Sequence, residues 1–553
     1  MNHATGPLLT IDVGTREWNT EDVDDVLSSF IGGRGIATKL AHDRIPFDAD
    51  PFGPANRVYV STGPLQLSEM SFTGRMNMTG LSPLSNGLLS TNAGGYLSRN
   101  FAGAGYPVVE ITGESDDLLA VYVTDDGVTF EAVPELAEAT VPEVTAYAEQ
   151  HHDLGSEHVA AIGPAGENLV RFASVMTSDS RAFGRGGLGA VLGSKNVKFL
   201  TWQGDAAPEV DLPDGIQDDV HREAATADDI MKRQGTTSGT EFINDNFSLP
   251  TRYFSERSFE HIAAIGGDAV ESKKYKRGAC SMCAFACKLP TRDEDRGVET
   301  EGPEFETVFS FGSNCAVDDV VDVMISNELC DTLGMDTISA GNSVAAYLMA
   351  EEEFGNADLV HDLVEQIAYR EGVGDLLAEG VARAHDELGV TNWSVKGVDF
   401  AAHDGRALHG QGLSYAVANR GGDHMYSSML GVEYDGEMPA EGLEDKPARV
   451  IEEENRQALR DIGIFCAFAG SFISDEQRSR LLGADFEDLL AIGSRVVELE
   501  RHFNNRRGMD RTDDRLPYDL PRFEAALDEY YDLRGWNDDG TVPEETVAEY
   551  ARV

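Results

Sequence analysis

Three cysteines, Cys280, Cys283 and Cys287, stand in the spacing C-x2-C-x3-C, and a fourth, Cys466, ends the distant segment Asp461-Ile-Gly-Ile-Phe-Cys466. Short spacings let thiolates converge on neighbouring irons, and a remote fourth thiolate can close a [4Fe–4S] cube. Such a site requires a fold that returns a late part of the chain to the triplet. Structural zinc is the rival reading, although zinc sites more often show paired C-x2-C units. Radical enzymes that use S-adenosylmethionine run the spacing the other way, and free buried thiols are the third reading. The spacing favours the cluster, and with it electron transfer. Cys315 and Cys330 are then left over and are expected to pack as small apolar groups. Six cysteines among 553 residues make no disulfide scaffold, and their clustering suits metal binding in a reducing cytoplasm.

Charge narrows the partners. The formal net charge is −53, with 97 Asp+Glu against 44 Lys+Arg. Such a surface repels phosphate backbones and anionic lipid, so neither a nucleic acid nor a membrane partner is expected. The acidity is spread along the chain, as in halophilic proteins that stay soluble where salt screens self-repulsion; an ordinary acidic protein is the plainer alternative. Against this background Lys273, Lys274, Lys276 and Arg277 precede the triplet. They raise a cluster's potential or dock an acidic electron carrier, or else form a solvated loop. Met1 to Leu9 shows no basic region followed by an apolar run, and no apolar run reaches membrane-spanning length, so a cytoplasmic location is expected.

The pattern along the chain predicts an α+β protein. Val58-Tyr-Val-Ser, Pro107-Val-Val-Glu-Ile, Leu119-Ala-Val-Tyr-Val, His158-Val-Ala-Ala-Ile and Val197-Lys-Phe-Leu-Thr-Trp read as strands between turn residues. From Gln203 to Pro213 an acidic, proline-bearing stretch reads as a linker. Beyond it the period becomes helical: Leu489, Ile492, Val496, Leu499 and Phe503 form one stripe, and Val320, Val323 and Met324 begin another. A second boundary is placed between Val395 and Ala402. The predicted domains are a β-rich one over 1–205 and two mainly helical ones over 206–398 and 399–553.

Glycine beside arginine recurs. Gly184-Arg-Gly-Gly-Leu-Gly189 matches a dinucleotide fingerprint, with Glu209 at about the expected distance. A polar loop precedes it, and little room for a helix follows, so the context is poor for a nicotinamide cofactor. Ile31-Gly-Gly-Arg-Gly35, Gly74-Arg75 and Thr91-Asn-Ala-Gly-Gly95 share the character. Their number favours a large phosphorylated ligand. Asp331-Thr-Leu-Gly-Met-Asp336 and the Asp461–Cys466 segment each open on aspartate, an acceptor for ring N–H groups. Two similar loops suit two copies of one ligand, although Asp and Gly are also ordinary turn residues.

Together with Ile162-Gly-Pro-Ala-Gly-Glu-Asn-Leu-Val-Arg-Phe-Ala173, the Arg181–Asn196 segment, Gly302-Pro-Glu-Phe-Glu306 and Asn419-Arg-Gly-Gly-Asp-His424, these motifs make the chain resemble the tungsten-containing aldehyde:ferredoxin oxidoreductases over most of its length. The resemblance implies a β-rich N-terminal base that carries the cofactor, covered by two mainly helical domains. It implies a bis-pterin tungsten or molybdenum cofactor beside a [4Fe–4S] cluster on Cys280, Cys283, Cys287 and Cys466. By matching position, Arg75, Asn92, Gly94, Arg181, Ala182, Gly184 and Arg185 contact pterin or its phosphates, and the carbonyls of Asn92 and Ala182 hold a bridging Mg2+. Asp331, Met335 and Asp336 hold one pterin, and Asp461, Phe465 and Ala467 the other. Three departures stand out: Gly463 comes one place early in the second loop, and Met335 and Phe465 each replace a leucine.

The resemblance also implies a reaction, oxidation of a small aldehyde to a carboxylate, with ferredoxin as partner and a possible homodimer. Glu306 and His424 match the family's candidate catalytic groups; a glutamate against an apolar wall can have the raised pKa that a base needs. Carboxylate or aryl-thioester reduction on the same cofactor, or a non-catalytic iron–sulfur relay, are the alternatives.

Overall fold

The computed structural model describes residues 1–178, 180–206, 210 and 212–550. Its N-terminal region holds two mixed six-stranded sheets. The first contains β1 (Leu8–Asp12), β2 (Glu17–Glu21), β3 (Val58–Ser61), β4 (Met76–Leu81), β5 (Leu88–Ala93) and β6 (Val108–Thr112), in the order β2-β1-β6-β3-β4-β5. Only the β1–β6 pair is parallel, with Leu8 opposite Val108. The second contains β7 (Leu119–Thr124), β8 (Gly127–Ala132), β9 (Val159–Ala161), β10 (Val175–Thr177), β11 (Arg181–Phe183) and β12 (Val197–Gln203), in the order β11-β10-β9-β12-β7-β8. Leu9, Val60 and Met78 of the first sheet share a core with Val121, Leu200 and Trp202 of the second.

The strand edges serve the site. β4 is buried along its whole length, and β5 pairs with it from Met76↔Ala93 to Leu81↔Leu88. Thr91 and Asn92 are thus held at one end of the sheet, followed by Gly94. β10 and β11 form a tight antiparallel pair, Met176 opposite Ala182. This pair corrects the fingerprint match. A three-residue antiparallel strand feeds a helix of only seven residues, Leu188–Ser194, where a nicotinamide site needs a parallel crossover. Glu209 lies outside the described residues.

The remainder is largely helical. The helix Val320–Leu333 is capped by the Asp319 side chain and stops at Gly334, whose φ of 80° glycine adopts without strain. The helix Thr337–Glu351 starts where the Asp336 carboxylate accepts from the Ile338 and Ser339 N–H groups. Leu489, Ile492, Val496, Leu499 and Phe503 are all buried on the helix Phe486–Arg506, as their spacing predicts. Each such side chain contributes about 1.5–3 kcal/mol by leaving water. Val395, Val398 and Phe400 pack in one core with the helix Val320–Leu333, whereas Ile216, Val220 and Ala224 pack with the C-terminal helices. Cys315 and Cys330 are buried in the first of these cores. Among the described residues no helix is long and apolar enough to cross a membrane.

Candidate functional site

The fold does return the chain to the triplet. The Cys466 N–H donates to the Phe72 carbonyl at 2.8 Å, and the Ser281 N–H donates to the Gly95 carbonyl at 3.0 Å. Phe72 and Gly95 flank β4 and β5, so one sheet end fixes both the triplet and the remote cysteine. The Gly95 N–H points at the Cys280 sulfur, 3.4 Å away. A Cβ on Gly94 would lie 3.1 Å from the same sulfur, which explains a glycine there. All four cysteines are half-buried and free. Burial pushes the Cys283 and Cys287 thiols up, with the Cys466 and Cys280 charges adding to it. Cys280 is brought below its usual range, against burial, by Lys288 and Arg181. Four free thiols brought to one sheet end are the donor set that an iron–sulfur cluster takes.

Arg75 joins the cysteines to a cavity. Despite burial its guanidinium stays charged, held by the Cys466, Cys280 and Asp461 charges, and it donates to the Asn92 carbonyl at 3.1 Å. The cavity, about 180 Å³, is lined by Arg75, Asn92, Gly184, Arg185, Asp461 and Ala467, together with Arg420, Tyr426 and Arg460. Four guanidinium groups around one void need anionic charge. Part of it is supplied by protein: Arg185 faces Asp336 at 3.4 Å, Asp399 at 3.2 Å and Asp423 at 3.6 Å. The Nε of Arg420 is nonetheless buried without a hydrogen-bond partner among the described residues, and that of Arg185 has only the 3.4 Å ion pair with Asp336. Buried donors left over in this way fit a polyanionic ligand such as a phosphorylated pterin.

Glu306 feels the charge of Arg185, which lines this cavity. It sits in the short helix Phe305–Thr307, which continues directly into the π-helical turn Val308–Ser313. π-Turns are frequent at functional sites because they re-aim a side chain. The Ala402 N–H donates to Glu306 Oε2 at 2.9 Å. Oε1 has no hydrogen-bond partner; it faces His424 Nδ1 at 3.6 Å and His403 Nε2 at 3.9 Å. Burial pushes the Glu306 carboxyl above its usual range, and His424, the Ala402 N–H and Arg185 work against that. Burial holds His403 well below the usual imidazole range, with His424 adding to it. Asp423 goes the other way: against burial, Arg420 and Arg185 hold it far below the carboxylate range.

The other sequence-predicted residues fall around these centres. Arg181 pairs with Glu301, and with Glu304 at 3.4 Å, and its charge reaches Cys280 and Cys287. Ala182 is tied into β11. Asp331 accepts from Asn327 Nδ2 at 3.1 Å, and burial pushes it well above the carboxylate range. Asp336 is both helix cap and Arg185 partner. The Met335 and Phe465 side chains are core, 1% exposed each, so what they offer a ligand is main chain. One expectation is corrected: Arg34, in the Ile31–Gly35 segment, is no free anion site. Its guanidinium is taken by Glu500 at 2.8 and 2.7 Å and lies 3.4 Å from Asp461. The neighbouring glycine is needed for contact, since a Cβ on Gly33 would lie 2.3 Å from the Asp461 carbonyl.

Sequence reasoning missed His403, Arg420, Asp423, Tyr426 and Arg460. Arg420 and Asp423 lie inside the Asn419–His424 motif and were there to be read. Tyr426 stands under the Arg34 guanidinium, 3.7 Å from its ring centre, and near that of Arg420 at 4.7 Å. Nothing local distinguishes Tyr426 from a core tyrosine.

Comparison with known proteins bears on this geometry. Two family models match, "Aldehyde ferredoxin oxidoreductase, N-terminal domain" over residues 8–204 and "Aldehyde ferredoxin oxidoreductase, domains 2 & 3" over 214–551. The tungsten-containing aldehyde ferredoxin oxidoreductases of Thermococcus kodakarensis and Pyrococcus furiosus are each 33% identical, with 98% of this chain and 98% of theirs covered. An aliphatic sulfonate oxidoreductase, WOR-like subunit, of Pyrococcus furiosus is 27% identical over 98% of this chain and 96% of its own. Among solved structures, a chain of the active site complex BamBC of benzoyl coenzyme A reductase, in complex with 1,5-dienoyl-CoA, has the same fold. Its TM-score is 0.84 and its identity 22%, over 99% of this chain and 96% of that one.

Proposed function

The chain belongs to the aldehyde ferredoxin oxidoreductase family, and on that premise we propose that it oxidises an aldehyde to a carboxylate and passes the electrons singly to ferredoxin. The reaction balances as aldehyde plus water giving carboxylate, three protons and two electrons, so two ferredoxins are reduced per aldehyde. The observation that carries the reading is Glu306 Oε1: a buried, unpartnered carboxylate oxygen between two histidines, beside an arginine-lined cavity that adjoins the four cysteines.

The residues fit the family's cofactors. Cys280, Cys283, Cys287 and Cys466 would hold the [4Fe–4S] cluster. Arg75, Asn92, Gly94, Arg181, Ala182, Gly184 and Arg185 would receive pterin phosphates, with Mg2+ at the Asn92 and Ala182 carbonyls. Asp331, Met335 and Asp336 would receive one pterin and Asp461, Phe465 and Ala467 the other. A bound tungsten or molybdenum pterin would supply the two-electron redox centre and the cluster the one-electron step outward.

The chain's own groups handle the proton. Glu306 Oε1 takes it from the water oxygen that becomes part of the carboxylate. Oε2 is pinned by the Ala402 N–H, so the free oxygen keeps one direction. His424 orients the reacting oxygen, and His403, kept neutral by burial, backs the carboxylate without neutralising it. Purified, matured protein should contain tungsten or molybdenum with four irons per cluster, release a fluorescent pterin, and reduce benzyl viologen when given an aldehyde. Native protein without any group 6 metal would end the proposal. Metal with no aldehyde oxidation, but with thioester or carboxylate reduction, would move the chemistry elsewhere on the same scaffold.

A further inference from the structure

The lysines of this chain are distributed in a way that marks one face. There are ten in the sequence. Lys39, Lys195, Lys198, Lys288 and Lys446 are buried, between 0 and 7% exposed, and the Lys396 side chain is 1% exposed, against Asp514. The four that reach solvent are Lys232, Lys273, Lys274 and Lys276. All four lie beside the cysteine loop, in a molecule whose net charge is −53.

Their attachment to the loop is structural. The segment Lys274 to Gly278 runs antiparallel to the chain that leaves Cys287, through bridges Lys274↔Thr291 and Gly278↔Lys288. Lys274 Nζ donates to the Lys232 carbonyl at 2.8 Å, and Lys232 Nζ stands 5.7 Å from the centre of the Phe285 ring, between Cys283 and Cys287. Lys232, Arg233, Arg277 and the Ala284–Ala286 loop line a surface cavity of about 310 Å³. Asp228 and Asp229 also line it, but the Asp229 carboxylate is taken by the Met231 N–H at 2.9 Å. Many surface arginines elsewhere, such as Arg16, Arg252 and Arg511, sit in ion pairs, whereas the exposed Arg257, Arg480 and Arg515 are single and scattered. Among the described residues Lys232, Lys276 and Arg277 appear in none. Exposed apolar side chains lie on the same segments: Ile230, which lines this cavity, is 46% exposed, and Met282, between Cys280 and Cys283 in the chain, 50%.

We propose that this face is the docking surface for an acidic one-electron carrier protein of the ferredoxin kind. The inference rests on the function proposed above and gives it a place on the molecule. Met282 and Ile230 supply the desolvated centre, Lys232, Lys276 and Arg277 the complementary rim. The Cys283–Cys287 loop is the protein layer between carrier and cluster. Per aldehyde, two carriers dock in turn, each taking one electron.

The experiment measures binding of a purified acidic [4Fe–4S] ferredoxin to the holoenzyme by calorimetry, which needs no aldehyde. At low salt the double variant Lys276→Glu, Arg277→Glu is expected to raise Kd about ten-fold, and the difference is expected to shrink as salt shortens the Debye length to about 3 Å near 1 M. Turnover with benzyl viologen, a small dication, is expected to stay at the wild-type rate. An unchanged ferredoxin Kd in the variant overturns the docking surface and leaves the oxidoreductase reading standing. Wild-type failure to oxidise any aldehyde with viologen sinks that reading instead, while the Kd comparison still decides the surface. Should the double variant lose iron, a salt titration of the wild type decides: a Kd that does not weaken with salt overturns the proposal.

Discussion

Replacing Glu306 by glutamine separates the chemistry from the fold. Glutamine keeps the volume and keeps an oxygen for the Ala402 N–H, now 2.9 Å from Oε2. Its NH2 then occupies the place of Oε1, facing His424 Nδ1 at 3.6 Å and His403 Nε2 at 3.9 Å. The position that took a proton now only donates. A positioned general base contributes roughly a hundred- to ten-thousand-fold, about 3–5 kcal/mol of barrier, and kcat is expected to fall by that factor with metal and iron content unchanged. Stability moves the other way. Burial raises the Glu306 pKa in the folded state, so the native protein binds this proton more tightly than the unfolded chain, whose glutamate titrates near about 4.3. The resulting stability penalty is absent below that pH, grows as pH rises through the folded pKa, and is constant above it. Glutamine removes the penalty, so the variant's melting temperature at pH 7 should equal or exceed that of the wild type. The wild-type rate should climb with pH through the same raised pKa, and the variant should lack that limb. Wild-type turnover in a metal-replete variant, or activity lost in step with a fallen melting temperature, would refute the reasoning.

Cys283→Ser is expected to lose the cluster's visible absorption and its iron; full iron content would remove Cys283 from the ligand set. Gly94→Ala places a methyl group 3.1 Å from the Cys280 sulfur, tighter than ordinary contact, and should lower iron incorporation while leaving the far-ultraviolet circular dichroism unchanged. Arg185→Met leaves Asp336 and Asp399 without a cation, and Asp423 with Arg420 alone, in a site where the arginine is 6% exposed. Removing one partner of a buried ion pair costs about 3–5 kcal/mol. The loss should show as a lower urea midpoint at pH 7 and shrink toward acid pH, because protonating the stranded carboxylates relieves the repulsion.

Legibility from sequence followed the physical range of each signal. Val58–Ser61, Leu119–Thr124 and Val197–Gln203 were readable because each is dense in apolar, β-branched and aromatic residues. β4 and β5 were not, since Met76–Leu81 and Leu88–Ala93 carry Asn, Thr, Ser and Gly on buried strands. Those polar residues are satisfied across the sheet: Thr79 and Ser90 hydrogen-bond each other, and Asn77 Nδ2 donates to Asn92 Oδ1 at 2.8 Å. Polarity at a strand end that holds a cofactor cavity is a local rule broken for the site's sake. The return of Cys466 to the triplet's side of the sheet was legible because the triplet's spacing is a covalent fact of the chain. His403 was not, because its meaning lies in three distances, to Glu306, to the His424 ring 5.6 Å away and to the Phe305 ring 5.3 Å away, which join segments that are remote in sequence. The lysine face combines both cases. The cationic run before Cys280 was visible in the sequence, but its weight comes from the burial of the other six lysines, and burial belongs to the fold. If charge on that face were incidental, the solvent-reaching lysines would be scattered as the arginines are. On the docking proposal, their confinement to the side of the cysteine loop links the acidity of the whole chain to one function: a surface that repels an acidic carrier over most of its area and receives it beside the cysteines.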